Sequence, residues 1–332
     1  MALPIDPEKD PLFRGLVLLL AVAVVVMMGF NALYRGRSVA PSAASADTAA
    51  AASATDQDSA GTVHRGGGHM TAEQMAASHE ESMTAFPAKT AGRGGQVLEP
   101  TVENSVKVFE LMAMPVEWEV APGQVVTAWA YNGQVPGPEI RVERGDRVRV
   151  ILTNHLTEPT TIHWHGVTVP NAMDGVPYVT QDPVMAGETF TYEFTVVDRP
   201  GTYLYHSHFN STEQVNRGLY GAFVVEPART AWDVEYTQIL NDGLLGYTIS
   251  GKGWPATTLL PAKLGQKVLL RLANVGQMLH PLHLHGYHFT VVARDGSPAR
   301  KPYQADTLVV APGETYEVLV RATEPGIWAL HC

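Results

Sequence analysis

The chain has 332 residues, 45% hydrophobic and 17% charged, with a formal net charge of −10 and a pI near 5.7. There is enough apolar material for a large buried core, and the acidic balance argues against nucleic acid as a partner. A single cysteine excludes an internal disulfide.

Between Arg14 and Arg35 lie 20 residues without a charge, dominated by Leu16 to Phe30. At about 1.5 Å per residue such a helix spans roughly 30 Å, the thickness of a bilayer core. The segment reads as a membrane helix or a long signal core. Ala44-Ser45-Ala46 is a small-residue cleavage pattern, but it lies far from the apolar run, so an uncleaved anchor over residues 1–37 is preferred. Lys9 and Arg14 on one side, with Arg35 and Arg37 on the other, leave its orientation open.

Residues 38–62 are rich in Ala, Ser and Thr, and residues 38–104 are expected to form a flexible tether. Within it Thr71-Ala72-Glu73-Gln74 fits a capping box, and Met75 to Ala85 contains no breaker before Pro87, which predicts a short helix. Met75, His79 and Met83 recur every four residues and would share a face. With His64, His69 and Met70 they gather soft copper-binding groups, the competing reading being a weakly amphipathic spacer helix.

From residue 105 the texture becomes short β segments: Val125–Trp129, Arg147–Leu152, Phe190–Val196, Ala222–Val225, Val268–Leu272, Phe289–Ala293, Leu308–Val310 and Tyr316–Val320. Gly145-Asp146, Ala186-Gly187, Pro200-Gly201, Pro312-Gly313 and Pro325-Gly326 punctuate them. An all-β chain of two β-sandwich domains is expected, over residues 105–228 and 229–332, joined near Pro227–Asp233 and without long helices inside them.

Three histidine motifs lie on this background. His163-Trp164-His165-Gly166 and His206-Ser207-His208 are i, i+2 pairs, whose side chains share one face of an extended strand. His280-Pro281-Leu282-His283-Leu284-His285 holds a third such pair, with His280 at opposite parity to His283. The chain closes on His331-Cys332. Cysteine thiolate with imidazole is the ligand set of a blue electron-transfer copper. The pattern repeats: His163 and His165 lie 120 positions before His283 and His285, while His206 lies 125 before His331. Two homologous domains are the natural reading. Ser207 stands where the second copy has Cys332, and a neutral hydroxyl is a poor ligand for a soft copper site, so the first domain should lack a blue centre.

On these motifs, over about residues 105–332, the chain resembles the multicopper oxidases, in particular the two-domain, laccase-like type with blue copper in the second domain. The resemblance implies cupredoxin-like Greek-key sandwiches and four coppers per complete functional unit. His280 and Cys332 look like type-1 ligands, His163 and His283 like type-2 ligands, and His165, His206, His208, His285 and His331 like type-3 ligands. The family pattern continues after Cys332 with further ligands, so the chain as written is expected to lack one type-3 and one type-1 histidine and not to assemble the full set alone. Asp174 matches an acidic position beside the trinuclear cluster of related oxidases and could deliver protons; a turn-forming Asp-Gly explains it equally well. Asp306 could orient a ligand histidine, though a strand-start role is favoured. His155 and His288 read as structural or surface residues.

The function implied is oxidation of a small reducing substrate, one electron at a time, coupled to reduction of dioxygen to water. Phenolic donors are the leading class; a cuprous or other metal-ion oxidase and a non-catalytic copper-binding envelope protein are alternatives. Copper nitrite reductase is disfavoured because its blue-copper cysteine belongs where Ser207 stands. Ligands split between domains place the cluster where a first domain meets a second; in two-domain relatives these come from neighbouring subunits, so the resemblance implies a homotrimer. The same resemblance implies that the copper domains lie on the periplasmic or extracellular side of a membrane.

Overall fold

Strict alternation of burial organises the molecule: along Arg147–Asn154, Val148, Val150 and Leu152 are fully buried while the residues between them turn outward. The structure, a computed structural model, describes residues 70–332. The apolar segment Leu16–Phe30 and the tract at 38–62 lie outside the described residues. Among the described residues no helix is long and apolar enough to cross a membrane.

Residues 97–226 make two sheets. One runs in the order Val97–Leu98, Glu139–Glu143, Tyr220–Glu226, Gly201–His206, His163–His165. The other runs Thr101–Glu103, Val106–Ala121, Arg147–Asn154, Thr189–Thr195, with Gln124–Tyr131 paired to the far half of the long strand. Phe109, Leu111, Ile140, Val150, Trp164, Tyr192 and Phe223 fill the core between them. Residues 234–331 repeat the plan. Thr248–Ile249, Val234–Asn241, Lys267–Asn274, Thr315–Arg321, Phe289–Arg294 and Ser297–Ala305 form one sheet, and Thr307–Val310, His280–Leu284 and Leu330–His331 the other. Leu270, Leu272, Leu282, Phe289 and Val318 lie between them. Apart from one six-residue helix, Ser211–Asn216, and a 3-10 turn, this part of the chain is all β.

A third apolar cluster joins the two sandwiches through Trp118, Ala130, Leu204, Val215, Tyr220, Ile239 and Ala273. Around it Arg271, 1% exposed, donates to Glu235 (3.0 Å), to Thr202 (2.9 Å) and to Glu317. Arg141 joins Glu139, Glu226 and Glu235. Arg271 finds both of its carboxylates inside its own domain; the contacts that cross between the domains are Arg141 to Glu235 and Thr202 to Arg271 and Glu317, and their directionality favours one docking.

Each of the eight strand segments expected from sequence coincides with a strand. The longest strand, Val106–Ala121, is not among them, and it contains Pro115. The proline is tolerated because the strand changes partner: residues 106–113 pair with 147–154, and 113–121 pair with 124–131, so Pro115 falls beyond the first ladder.

The predicted helix spans Ala72–Thr84, its capping box formed by Gln74 N–H to Thr71 Oγ1 (3.2 Å) and Thr71 N–H to Gln74 Oε1 (2.8 Å). The expectation of a tether as far as residue 104 is corrected. Trp254 stacks on Phe86 with ring centroids 4.9 Å apart, and its Nε1 donates to Ser82 Oγ at 2.9 Å. Lys252 Nζ donates to the carbonyls of Ala91 (2.7 Å) and Glu119 (2.6 Å). Val97–Leu98 and Thr101–Glu103 already pair within the first domain, ahead of the boundary placed at 105. Strands of two and three residues carry no periodicity to read.

If the Trp254 contacts hold the helix end, Trp254→Ala removes an aromatic pair and a hydrogen bond, both partly exposed and together worth about 1–2 kcal/mol. Limited proteolysis should then cleave within residues 70–87 roughly tenfold faster, with the melting temperature of the sandwiches nearly unchanged.

Candidate metal centres

Trp164 is buried and packs edge-on against Tyr192 and Phe194 at 5.5 and 5.1 Å, which fixes the face of its short strand and turns His163 and His165 the other way. The strand pairs antiparallel with Gly201–His206 so that His163 stands opposite His206. Ring nitrogens of His163, His165 and His206 all lie within 4.8 Å of one another. His208 completes the set, its ring 5.3 Å from that of His163.

The second domain builds the same arrangement. Leu282 and Leu284 point into the core, so His283 and His285 face outward, and His283 stands opposite His331. The rings of His283 and His285 are 4.8 Å apart, and Nε2 of His285 and Nε2 of His331 approach to 2.8 Å. Among the described residues, histidine ring contacts stay within each set and none joins the two.

Backbone carbonyls fix the tautomers. Nδ1 donates to the Asp174 carbonyl in His163 (2.8 Å), to that of Ser207 in His206 (2.8 Å), to that of Asp306 in His283 (2.9 Å) and to that of Cys332 in His331 (3.1 Å). A carbonyl oxygen only accepts, so Nδ1 carries the hydrogen in each ring and Nε2 is left with its lone pair, as a metal ligand requires. Burial keeps His206 uncharged, pulling its pKa down to about 3 against the raising effect of the Ser207 carbonyl, with His165, His163 and His208 adding to the fall. Burial and the neighbouring His163 also lower His165 and His208. Neutral imidazoles with converging lone pairs fit a divalent or monovalent soft cation.

His280 faces the opposite way. It is 5% exposed, on the core side of its strand with Leu282 and Leu284. The strand ends at His331; extending its register by one step would set Cys332, which is exposed, across from Leu282 on the His280 face. Here Nε2 rather than Nδ1 is engaged, 2.8 Å from Asp242 Oδ2. At the corresponding place of the first domain, 120 positions before His280, stands Thr160. Thr160 donates to Gln214 Oε1 at 2.8 Å, Ser207 donates to the same oxygen, and all three residues are buried. Hydroxyls and an amide thus occupy the position that corresponds to His280 and Cys332.

Asp174 caps a 3-10 turn at Asn171–Met173; its carbonyl holds His163 and its carboxylate lies 3.4 Å from the same Nδ1. Both readings of this residue therefore have contacts. Gly175 permits the approach, since a Cβ there would collide with the Ile162 carbonyl. Asp306 holds His283 through its backbone, with its carboxylate 3.8 Å away. His155 and His288 are exposed. Sequence reasoning missed Asp242, which lies 38 residues before His280 and meets it only through the fold.

The multicopper oxidase family models match residues 114–230 and 233–332. The solved structure of a blue copper oxidase from Nitrosomonas europaea is similar over 68% of this chain and 78% of that one, with 35% identity and a TM-score of 0.64. Laccase-15 of Oryza sativa subsp. japonica is 33% identical over 234 residues, 58% of this chain and 38% of that protein. Copper resistance protein A of Pseudomonas syringae pv. tomato is 30% identical over 60% of this chain and 44% of its own length. The chain thus spans less than half the length of these two curated relatives.

A pH dependence follows for the metal-free chain. The His206 pKa falls from 6.5 unfolded to about 3 folded, so the unfolded state binds the extra proton and stability is lost as pH falls from about 6.5 toward 3. Between pH 7 and pH 5 this ring contributes a loss of about 2 kcal/mol, measurable by urea unfolding, and His206→Gln should flatten the slope by that amount.

Proposed function

We propose, from the premise that this chain belongs to the multicopper oxidase family, that it forms the copper-bearing core of an enzyme coupling one-electron oxidation of a reducing substrate to reduction of dioxygen to water. Copper in type-1, type-2 and type-3 sites is the cofactor of this family and fits the donors present. The observation that carries the reading is the pair of outward-facing imidazole sets with carbonyl-fixed tautomers, together with His280 on the opposite face of its strand and a cysteine next in sequence to His331.

In this reading His280 and Cys332 hold type-1 copper, His163 and His283 type-2 copper, and His165, His206, His208, His285 and His331 the type-3 pair. Bound there, copper supplies one-electron acceptance at the thiolate centre and dioxygen reduction at the cluster. The chain's own contribution is positional. Cys332 and His331 are joined by one peptide, which gives electrons a short covalent route between centres. Asp174 keeps a carboxylate beside His163, able to hold a proton near the reacting oxygen. The two sets each offer half of a cluster, so the first domain of one copy completes the second domain of its neighbour, most simply in a homotrimer. The segment Leu16–Phe30 would anchor the assembly in a membrane with the copper domains on its periplasmic or extracellular side.

Phenols and similar small donors are the leading substrates, in keeping with the likeness to a laccase. A second reading, oxidation of cuprous or other metal ions, is favoured by Met75 and Met83, 54% and 50% exposed on the helix that also presents His79, and by the likeness to a copper resistance protein.

A chain lengthened past Cys332 by the remaining family ligands should be blue when loaded with copper, and Cys332→Ser should abolish the colour. His163→Ala or His285→Ala should instead lower copper content and oxygen uptake with the blue band largely kept; loss of colour with unchanged oxygen uptake would contradict the partition.

Deleting residues 70–86 should weaken cuprous oxidation several-fold and leave phenol oxidation by the loaded enzyme unaltered if the helix serves metal ions. Equal loss or retention of both would reduce it to a spacer.

A further inference from the structure

The seven imidazoles of the two outward sets and His280 differ in how they are held. Four of the seven rest on backbone carbonyls, whereas His280 meets a side chain. Asp242 and His280 have side chains only 4% and 7% exposed, with Nε2 and Oδ2 2.8 Å apart. The carboxylate is itself fixed: Oδ1 accepts from the amide of Gln277 and Oδ2 from that of Met278, both at 2.9 Å. Gly276 makes room for it, because a Cβ at that position would collide with the carboxylate. On its other side the Asp242 loop is tied to the first domain, where Asn241 Nδ2 donates to the Val215 carbonyl and Leu244 N–H to that of Asn216, both at 3.2 Å.

We propose that Asp242 is a positioning residue for the thiolate-bearing centre, accepting the Nε2 hydrogen of His280 so that Nδ1 is presented to the metal. The assignment rests on the type-1 reading of His280. An ionised carboxylate accepts and never donates, so its partner nitrogen must carry the hydrogen. Both carboxylate oxygens already accept amide hydrogens, Oδ1 from Gln277 and Oδ2 from Met278, so the group faces Nε2 as an acceptor. Because this loop also touches Val215 and Asn216, the docking of the two domains sets the orientation of a ligand in the second.

The test begins with the metal-free chain, in which nitrogen-15 NMR of labelled histidines reads the tautomer of His280. The parent should show hydrogen on Nε2; Asp242→Leu should move a substantial fraction to Nδ1; Asp242→Asn, whose amide oxygen can still accept, should fall between. Gly276→Ala, which displaces the carboxylate without removing it, should act in the same direction as Asp242→Leu. In the lengthened, copper-loaded protein, Asp242→Leu should weaken retention of the blue copper by about 10–100-fold and alter its absorption and EPR spectrum, with the other coppers retained. An unchanged tautomer in Asp242→Leu would overturn the proposal, as would an unaltered blue spectrum. A tautomer that shifts as expected in a protein that never turns blue would overturn the type-1 reading of His280, and the proposed role with it.

Discussion

Antiparallel pairing of histidine against histidine is the constraint on which the rest of the structure depends. Cross-strand neighbours bring Cβ atoms within about 5 Å, so two rings on the same face converge without any loop having to place them. His163 opposite His206 and His283 opposite His331 each use this geometry. A slip of one residue would turn every ring into the core and every core residue into solvent, a cost far above that of losing one contact. Trp164, Leu282 and Leu284 hold the register through hydrophobic burial, and the sites inherit their precision from packing.

The same economy governs the join between the sandwiches. Apolar contact through Leu204, Ile239 and Ala273 drives association, but such contact is tolerant of rotation. The polar contacts that cross the join, Arg141 to Glu235 and Thr202 to Arg271 and Glu317, are not tolerant. Together they make the two domains one rigid support from which two separate histidine sets face outward.

Much of this is legible in sequence because copper ligands on strands must obey a period of two. The i, i+2 pairs and the 120-residue offset point to the histidines that the fold brings together, without knowledge of that fold. What stays hidden is whatever depends on distant chain segments meeting. Asp242 and His280 are adjacent only because Val234–Asn241 ends beside the loop at 276–278. The docked segment Ala88–Leu98 is hidden for another reason: its order comes from Lys252, Trp254 and Glu119, and its own residues look like a linker. Val106–Ala121, which has three partner strands and carries Pro115 inside it, has no counterpart among the expected segments.

The Thr160–Ser207–Gln214 cluster has a consequence for how the repeat can change. If both halves descend from one ancestral unit, the first half did not merely lose a thiolate; it closed the gap with a buried knot in which one amide oxygen serves two hydroxyls while its nitrogen reaches the Pro159 carbonyl. Restoring a cysteine at Ser207 alone would leave that amide oxygen facing sulfur and Thr160 where an imidazole is required. Either step back alone removes one of the two hydroxyls bonded to that oxygen and still lacks the other ligand. Divergence of the two halves therefore behaves as a ratchet, and the division of labour between them is protected by hydrogen bonding in the half that carries no thiol.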